Sequence, residues 1–441
     1  MENSLPKKVL VLGARGFLGE HIVQELAASD YDVVAAVRPG SSRDYSSPRV
    51  TLVEGDLLEP SFVRGALEGV DAVVFAAGRT WQPGLDVAEY HRQNVEITRR
   101  FFEALGHRPQ VRVVFTSSLA TVSGSRTPRV FAEDSGRREV CEGWLSPYAR
   151  AKILCERLAL GAAEAGNRVV VLNPGQLLGP GVRSGSNLAS AFVLLWPCQR
   201  KAPFYVRGGV TVSDVRDVAW AHVSALVHGR SGQRYILGGH CIDRAEFYAQ
   251  AARLTGLRPP GGLPVWVVYL VMALADGFAF LSGGLFRSPV HRTFARGEGL
   301  YYYGDSQKAV RELAYRITPI QETIYDTLRY YHGRGLLPPE MDFVEDVGVE
   351  DAPAFVLLRQ LAGKSAFSRF LLARIGRVYE MCRSNHQLRA ALTRLLDASQ
   401  VERGTKPFPL KRDRHAEERK LLNQYFEYLY FASDEFLRRV R

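Results

Sequence analysis

Six short valine-rich runs punctuate the first 172 residues, at 8–13, 33–37, 50–53, 72–75, 111–115 and 168–172. Segments with helical spacing of apolar residues lie between them, at 18–29, 60–68, 90–106 and 147–165. The runs do not alternate apolar with polar residues, so the strands they predict are buried on both faces. Strands of that kind, separated by helices, fold into a mostly parallel sheet covered by helices on both sides. The length of 441 residues allows two to four domains and needs neither disulfides nor a structural metal for stability. Apolar residues make up 46% and charged residues 23%, which excludes a disordered or cysteine-stapled chain. No charge-free apolar stretch reaches the roughly 18 residues of a membrane-spanning helix.

The first strand ends in Gly13-Ala-Arg-Gly16-Phe17-Leu18-Gly19 and runs into the helix at 18–29. Glycines at this spacing let a strand-to-helix turn close tightly and let the backbone approach a pyrophosphate. The helix N-terminus then turns free N–H groups and positive potential towards the phosphates. A dinucleotide is the expected ligand, and the fold expected is α/β, a Rossmann-type doubly wound parallel sheet. The second strand ends in Val37-Arg38, where an NAD site places a carboxylate for the ribose 2′-hydroxyl. A cation there suits a 2′-phosphate, so NADP(H) is expected in preference to NAD(H), with Ser41, Ser42 and Arg43 as further contacts. After the third strand, Gly55-Asp56-Leu57 places Asp56 near the adenine. After the fourth, Ala76-Ala77-Gly78 forms a floor of small residues.

Tyr148 and Lys152 stand four residues apart at the start of a helical segment, on one helix face. A phenol titrates near 10 when free, and an ammonium beside it stabilises the phenolate. Such a pair works as an acid and base on a carbinol or carbonyl oxygen. Thr116-Ser117-Ser118 ends the fifth strand, at the edge where an open α/β sheet meets its ligands. A serine hydroxyl there can hold the same oxygen, and both Ser117 and Ser118 are candidates. Hydride transfer is the cofactor's chemistry.

In this order, the glycine loop, the strand-end serines and the Tyr-x-x-x-Lys pair resemble the extended short-chain dehydrogenase/reductase family over about residues 7–335. The resemblance implies Ser118, Tyr148 and Lys152 as catalytic residues, with Asn94 on the helix behind them. It implies a second task for Lys152, on the nicotinamide ribose, and places Asn173-Pro174 beside the nicotinamide. Val215-Arg216-Asp217-Val-Ala219 and Tyr303-Gly-Asp305-Ser-Gln-Lys308 resemble later motifs of the family, with Arg216 and Ala314 as departures. Val37-Arg38, Asn173-Pro174 and Gln233 to Gly239 look closer to dihydroflavonol reductases and 3β-hydroxysteroid dehydrogenases than to sugar-nucleotide epimerases. That branch implies oxidation of a secondary alcohol or reduction of a ketone on a lipophilic, sterol-like or long-chain substrate. A nucleotide-sugar epimerase or reductase is the alternative enzyme, and a non-catalytic nucleotide-binding subunit the alternative outside enzymes.

The domains expected are a dinucleotide-binding domain at 1–180, to which 211–240 returns, and a smaller, interleaved α/β substrate domain at 181–335. A linker at 336–352 leads to a helical C-terminal extension at 353–441, with helices near 353–362, 366–381, 385–398 and 415–439. Of the net charge of +11, residues 351–441 hold the larger part, with 18 Lys and Arg against 10 Asp and Glu. This basic region and the apolar stretch 265–286 could meet a membrane surface. The stretch could equally line a lipophilic pocket or lie in the core. A second copy of the chain is a further candidate partner, and no nucleic-acid motif accompanies the charge. The five cysteines form no C-x-x-C pair, and His386 and His415 stand alone, so no metal is expected. The apolar run at 9–12 is too short for a signal peptide, which leaves the cytoplasm, with a peripheral membrane contact, as the expected location.

Overall fold

The computed structural model describes residues 6–41, 45, 47–79, 87–135, 145–181, 192–199, 203–281, 297–339 and 341. The chain divides into two units, Met1–Val344 and Glu345–Arg441. The helices expected beyond residue 353 lie outside the described residues.

The main sheet has seven strands: β1 (Lys8–Leu12), β2 (Asp32–Val37), β3 (Val50–Glu54), β4 (Ala72–Phe75), β5 (Arg112–Thr116), β7 (Arg168–Pro174) and β11 (Arg234–Leu237). All pair in parallel, in the spatial order β3-β2-β1-β4-β5-β7-β11. This is the doubly wound Rossmann arrangement. The chain first builds outward from β1 through β2 to β3, then restarts at β4 on the other side. The two loops that leave β1 and β4 therefore diverge and open a crevice at the carboxyl edge of the sheet.

Both sheet faces are covered. In β1, Val9 and Val11 pack on one side, with Ile22, Val23 and Leu26 of α1 (Phe17–Ala28) and with Val218 and Ala221 of the later helix α7 (Val215–His228). Leu10 and Leu12 pack on the other side, with Val63 of α2 (Pro60–Ala66), Phe101 of α4 (Ile97–Leu105) and Cys155 of α5 (Pro147–Glu164). Apolar residues at successive positions of β1 are thus both used, which is why the strand reads as continuous rather than alternating. Helix α5 starts cleanly because Ser146 accepts a hydrogen bond from Ala149 N at 3.2 Å and Pro147 takes the first turn. A cap of this type contributes about 1 kcal/mol.

The expected single helix at 90–106 is interrupted. A short helix α3 (Val87–His91) leads into one π turn at Arg92–Glu96 before α4 begins. The extra residue turns Asn94 inward, where it is buried and bonded on both sides of its amide.

A second sheet lies at the carboxyl edge of the first, where its residues Val210 and Thr211 line the crevice. It joins β6 (Val130–Phe131), β8 (Gln176–Leu178), β10 (Gly209–Asp214), β12 (His240–Asp243) and β14 (Tyr301–Gly304). The short strands β9 (Phe204–Val206) and β13 (Gly261–Leu263) pair with each other. Helices α6 (Phe192–Cys198), α8 (Arg244–Thr255) and α11 (Ile320–His332) pack with this sheet through Leu194, Phe247, Ile324 and Leu328. A further helix, α10 (Gln307–Leu313), lies against α7. Between α7 and α11 runs an ion-pair chain in which Arg216 binds Asp214 and Asp326, both at 2.7 Å.

The apolar stretch forms α9 (Val265–Leu281). Its residues Trp266, Leu270, Val271 and Leu274 are 50–65% exposed and fall on one helical face. Among the described residues no helix is long and apolar enough to cross a membrane.

Candidate active site

The site begins with a close approach of backbone to backbone. Gly13 has φ +87°, and a side chain there would reach within 2.7 Å of the Ala77 main chain. A Cβ on Gly19 would lie 2.0 Å from the Gly13 carbonyl oxygen. Only glycines let α1 sit this tightly on the ends of β1 and β4. Gly16 caps α1 without a side-chain hydrogen bond, so the first turn keeps free N–H groups. Gly16, Phe17, Leu18 and Gly19 line a cleft of about 460 Å³, together with Ala76 and Gly78.

Arg15, inside the loop, was not singled out by the sequence reading. Its guanidinium stacks on the Tyr45 ring, 4.7 Å from the centroid, with Nη1 4.0 Å from Glu20 Oε1, and its buried Nε and Nη2 have no hydrogen-bond partner among the described residues. A buried unpaired guanidinium edge is costly unless a ligand satisfies it. Strands β1 and β2 are paired with Leu12 opposite Ala36, so Arg15 and Arg38 leave neighbouring strand ends. Arg38 is exposed there. An arginine between two loop glycines was the signal available in the sequence.

The same cleft is lined by Ser117, Ser118, Tyr148, Lys152 and Pro174. Lys152 Nζ donates to Thr116 O at 3.1 Å, at the end of β5. Thr116 Oγ1 is in turn 2.8 Å from Nε2 of His222, a buried ring whose pKa is lowered to about 4 by desolvation. Gly78 brings the β4 loop against both neighbours: a Cβ there would be 3.0 Å from Asn94 Oδ1 and 3.7 Å from Lys152 Nζ. Asn94 Oδ1 accepts from Arg79 N at 2.9 Å. Asn94 is thus placed behind the cleft, fastening the loop that Lys152 faces.

The two serines are not equivalent. Ser117 Oγ donates to Glu156 Oε2 at 2.5 Å. Ser118 Oγ accepts from Ala120 N at 3.3 Å, which leaves its own proton available to the cleft.

Glu156 is the second residue the sequence reading missed. It is buried on α5, one turn beyond Lys152. Its Oε2 accepts from Ser117 and from Thr121 and Asn173, both at 2.7 Å, and its Oε1 accepts from Arg234 Nε at 2.7 Å. Thr121 Oγ1 and Asn173 Nδ2 also lie 2.8 and 3.2 Å from Ser118 O. One carboxylate therefore fastens the Ser117–Thr121 turn to β7, β11 and α5. The signal was a third polar residue continuing the spacing Tyr148, Lys152, Glu156.

Some expected cofactor residues do not line this cleft. Asn173 is fully buried with its amide turned to Ser118, Thr121 and Glu156, and it does not line the cleft. Asp56 is exposed, accepts from Leu58 N at 2.9 Å, and borders a separate hollow with Glu59, Arg92 and Arg100. Leu57 and Ala77 pack on the core face served by α2, α4 and α5. Ser42 and Arg43 lie outside the described residues. No described side chain of helix α9 lines the cleft.

The sequence profile of the NAD dependent epimerase/dehydratase family matches residues 9–238. A dihydroflavonol 4-reductase-like protein of Synechocystis sp. is 28% identical over 333 residues, 74% of this chain and 94% of that protein. Sterol demethylase protein B of Methylococcus capsulatus is 28% identical over 343 residues, 74% of this chain and 99% of that protein. Among solved structures, that of gox2253 is similar with a TM-score of 0.65 at 26% identity, covering 75% of this chain and 100% of the other.

Glu156→Gln keeps the side-chain shape and removes the charge that four donors share. The variant is expected to lose turnover by up to about 100-fold through misplacement of the serine turn. Dinucleotide affinity is expected to stay within about twofold, because no glycine-loop contact changes. Steady-state kinetics and cofactor titration read the two quantities; unchanged turnover would show that the turn holds its place without the carboxylate.

Proposed function

The chain belongs to the NAD dependent epimerase/dehydratase family, and we propose that it is an NADP(H)-dependent oxidoreductase interconverting a secondary alcohol and a ketone on a lipophilic substrate, of the 3β-hydroxy/3-keto type. The observation that carries this reading is that Ser118, Tyr148 and Lys152 line the same cleft as the glycine end of α1.

The residues present fit a dinucleotide. Gly13, Gly16 and Gly19 leave room for a pyrophosphate against the free N–H groups of α1. The Nε and Nη2 of Arg15, without a partner among the described residues, and Arg38 at the end of the neighbouring strand support a ribose 2′-phosphate here. When bound, the nicotinamide gives or accepts the hydride. Tyr148 gives its phenolic proton to the substrate oxygen as a ketone is reduced, and takes it back as an alcohol is oxidised. Ser118 donates its hydroxyl proton to that oxygen in a hydrogen bond and orients it. Lys152, held by Thr116 O, carries its positive charge beside this centre and holds the nicotinamide ribose.

The substrate end of the cleft supports a lipophilic ligand. Leu119, Leu177, Val210 and Tyr302 line it. A nucleotide sugar would call for cations placed on a diphosphate. Among the described lining residues the arginines are Arg79, which bonds the neutral Gln93, and Arg244, whose single charge is balanced by Glu298, so the doubly charged diphosphate of a nucleotide sugar finds no matching pair of unbalanced cations. One relative is named for sterol demethylation, in keeping with an apolar skeleton.

Tyr148→Phe is expected to lower turnover by about 10²- to 10⁴-fold, the usual worth of a positioned acid/base, with cofactor affinity unchanged. NADPH oxidation with a panel of hydrophobic ketones, beside a cofactor titration, measures both. Turnover equal to the unmodified protein would remove Tyr148 from the chemistry.

Arg15→Ala and Arg38→Ala are each expected to weaken NADP⁺ by about 10-fold or more, the scale of a charge-assisted hydrogen bond, while NAD⁺ binding changes little. Fluorescence titration with the two cofactors makes the comparison. Equal losses for both would show that neither arginine reads the 2′-phosphate.

A further inference from the structure

The substrate side of the cleft contains one charged pair that the reaction does not use. Arg244, the first residue of α8, lines the cleft together with Glu298. Its Nη1 donates to Glu298 Oε2 at 2.6 Å and to the Val206 carbonyl at 3.1 Å. The Arg244 side chain is 17% exposed and that of Glu298 is 28% exposed. A guanidinium carries five N–H donors in a planar fork. Both bonds of Arg244 use Nη1, on one side of that fork. Among the described residues, Nε and Nη2 make no hydrogen bond. The open edge is the one that takes a carboxylate through two parallel hydrogen bonds.

We infer that Arg244 is the receptor for a carboxylate on the substrate, so that the ligand of this cleft is an amphipathic acid rather than a neutral lipid. The inference rests on reading the cleft as the substrate site. Holding a charged guanidinium in a largely enclosed position is unfavourable unless its charge is answered. Glu298 answers it in part and anchors one nitrogen, which leaves the fork rigid and its other edge presented. With Glu298 in place the pair is neutral, so a single negative charge is accepted and a polyanion such as a nucleoside diphosphate is disfavoured by the nearby carboxylate. Glu298 sits between Gly297 and Gly299, with φ values of +87° and +73°.

The test uses the full chain saturated with NADP⁺ and two isosteric probes, octanoate and octanamide, titrated by calorimetry. The unmodified protein is expected to bind octanoate about 10-fold more tightly than octanamide, the preference of an ionic over a neutral hydrogen-bonded pair. Arg244→Gln is expected to erase the preference and leave octanamide within about twofold. Glu298→Gln is expected to act in the opposite direction and tighten octanoate several-fold, because it removes a competing negative charge. Equal affinities in the unmodified protein, a preference that survives Arg244→Gln, or no binding of octanoate would each overturn the inference. Binding heats do not depend on turnover. A protein that fails these titrations but still reduces ketones through Tyr148 would retain the proposed oxidoreductase function with a neutral substrate.

Discussion

The contact on which the site depends is the one between the Gly19 position of α1 and the Gly13 carbonyl. A single methyl group at Gly19 would stand 2.0 Å from that oxygen. The absence of a side chain lets the helix start directly over the switch point between β1 and β4. Everything functional then follows from the geometry of a parallel sheet. All seven strands end on the same edge, so the loops after β1, β2, β4, β5 and β7 gather around one crevice. Arg15, Arg38, Gly78, Ser118 and Pro174 belong to five different strand ends. None is near the others in sequence beyond the first two, and the sheet alone brings them to one edge.

A second constraint works at the far side of the crevice. The Glu156 carboxylate collects donors from β7, β11 and the turn after β5, while its helix carries Lys152 and Tyr148 one and two turns earlier. The acid/base pair and the turn bearing Ser118 are thus referred to the same helix. Glu156 is buried while Arg234 is 38% exposed, so breaking this pair costs more than the roughly 0–1 kcal/mol of an exposed surface pair and less than a fully buried one. This network therefore weighs more in the accuracy of the site than the surface pairs of α4, such as Arg99 with Glu96. The Asp214–Arg216–Asp326 chain does similar work on the substrate side, tying α11 to the start of α7.

Much of this was legible in the sequence because it is local. All main-sheet strands but β11 are valine-containing runs; the inner ones are buried on both faces as expected, whereas β3 at the sheet edge is only partly buried, with Thr51 and Glu54 exposed, because no strand pairs with its outer side. The glycine loop and the Tyr148–Lys152 spacing are visible within seven and five residues. The π turn at Arg92–Glu96 was not legible, since one inserted residue leaves the apolar spacing of 90–106 nearly unchanged. Glu156 and Asn173 were obscured for a different reason. Their partners are 17 to 78 residues away, and only the packed fold shows that Asn173 faces a carboxylate and the serine turn rather than the cleft. The strands of the second sheet are runs of two to six residues, too short for periodicity to register. The apolar stretch 265–281 had two functional readings, and the structure gives it as a helix with a broad exposed apolar face that stays clear of the cleft.

The central claim is that the glycine loop and the Ser118–Tyr148–Lys152 group serve one bound dinucleotide. A crystal structure of the full chain with NADP⁺ tests it most directly. The account predicts the pyrophosphate against the first turn of α1, the 2′-phosphate on Arg15 and Arg38, and the nicotinamide ring facing the Tyr148 hydroxyl. A dinucleotide bound away from Gly13 to Gly19, or a nicotinamide turned away from Tyr148, would contradict it.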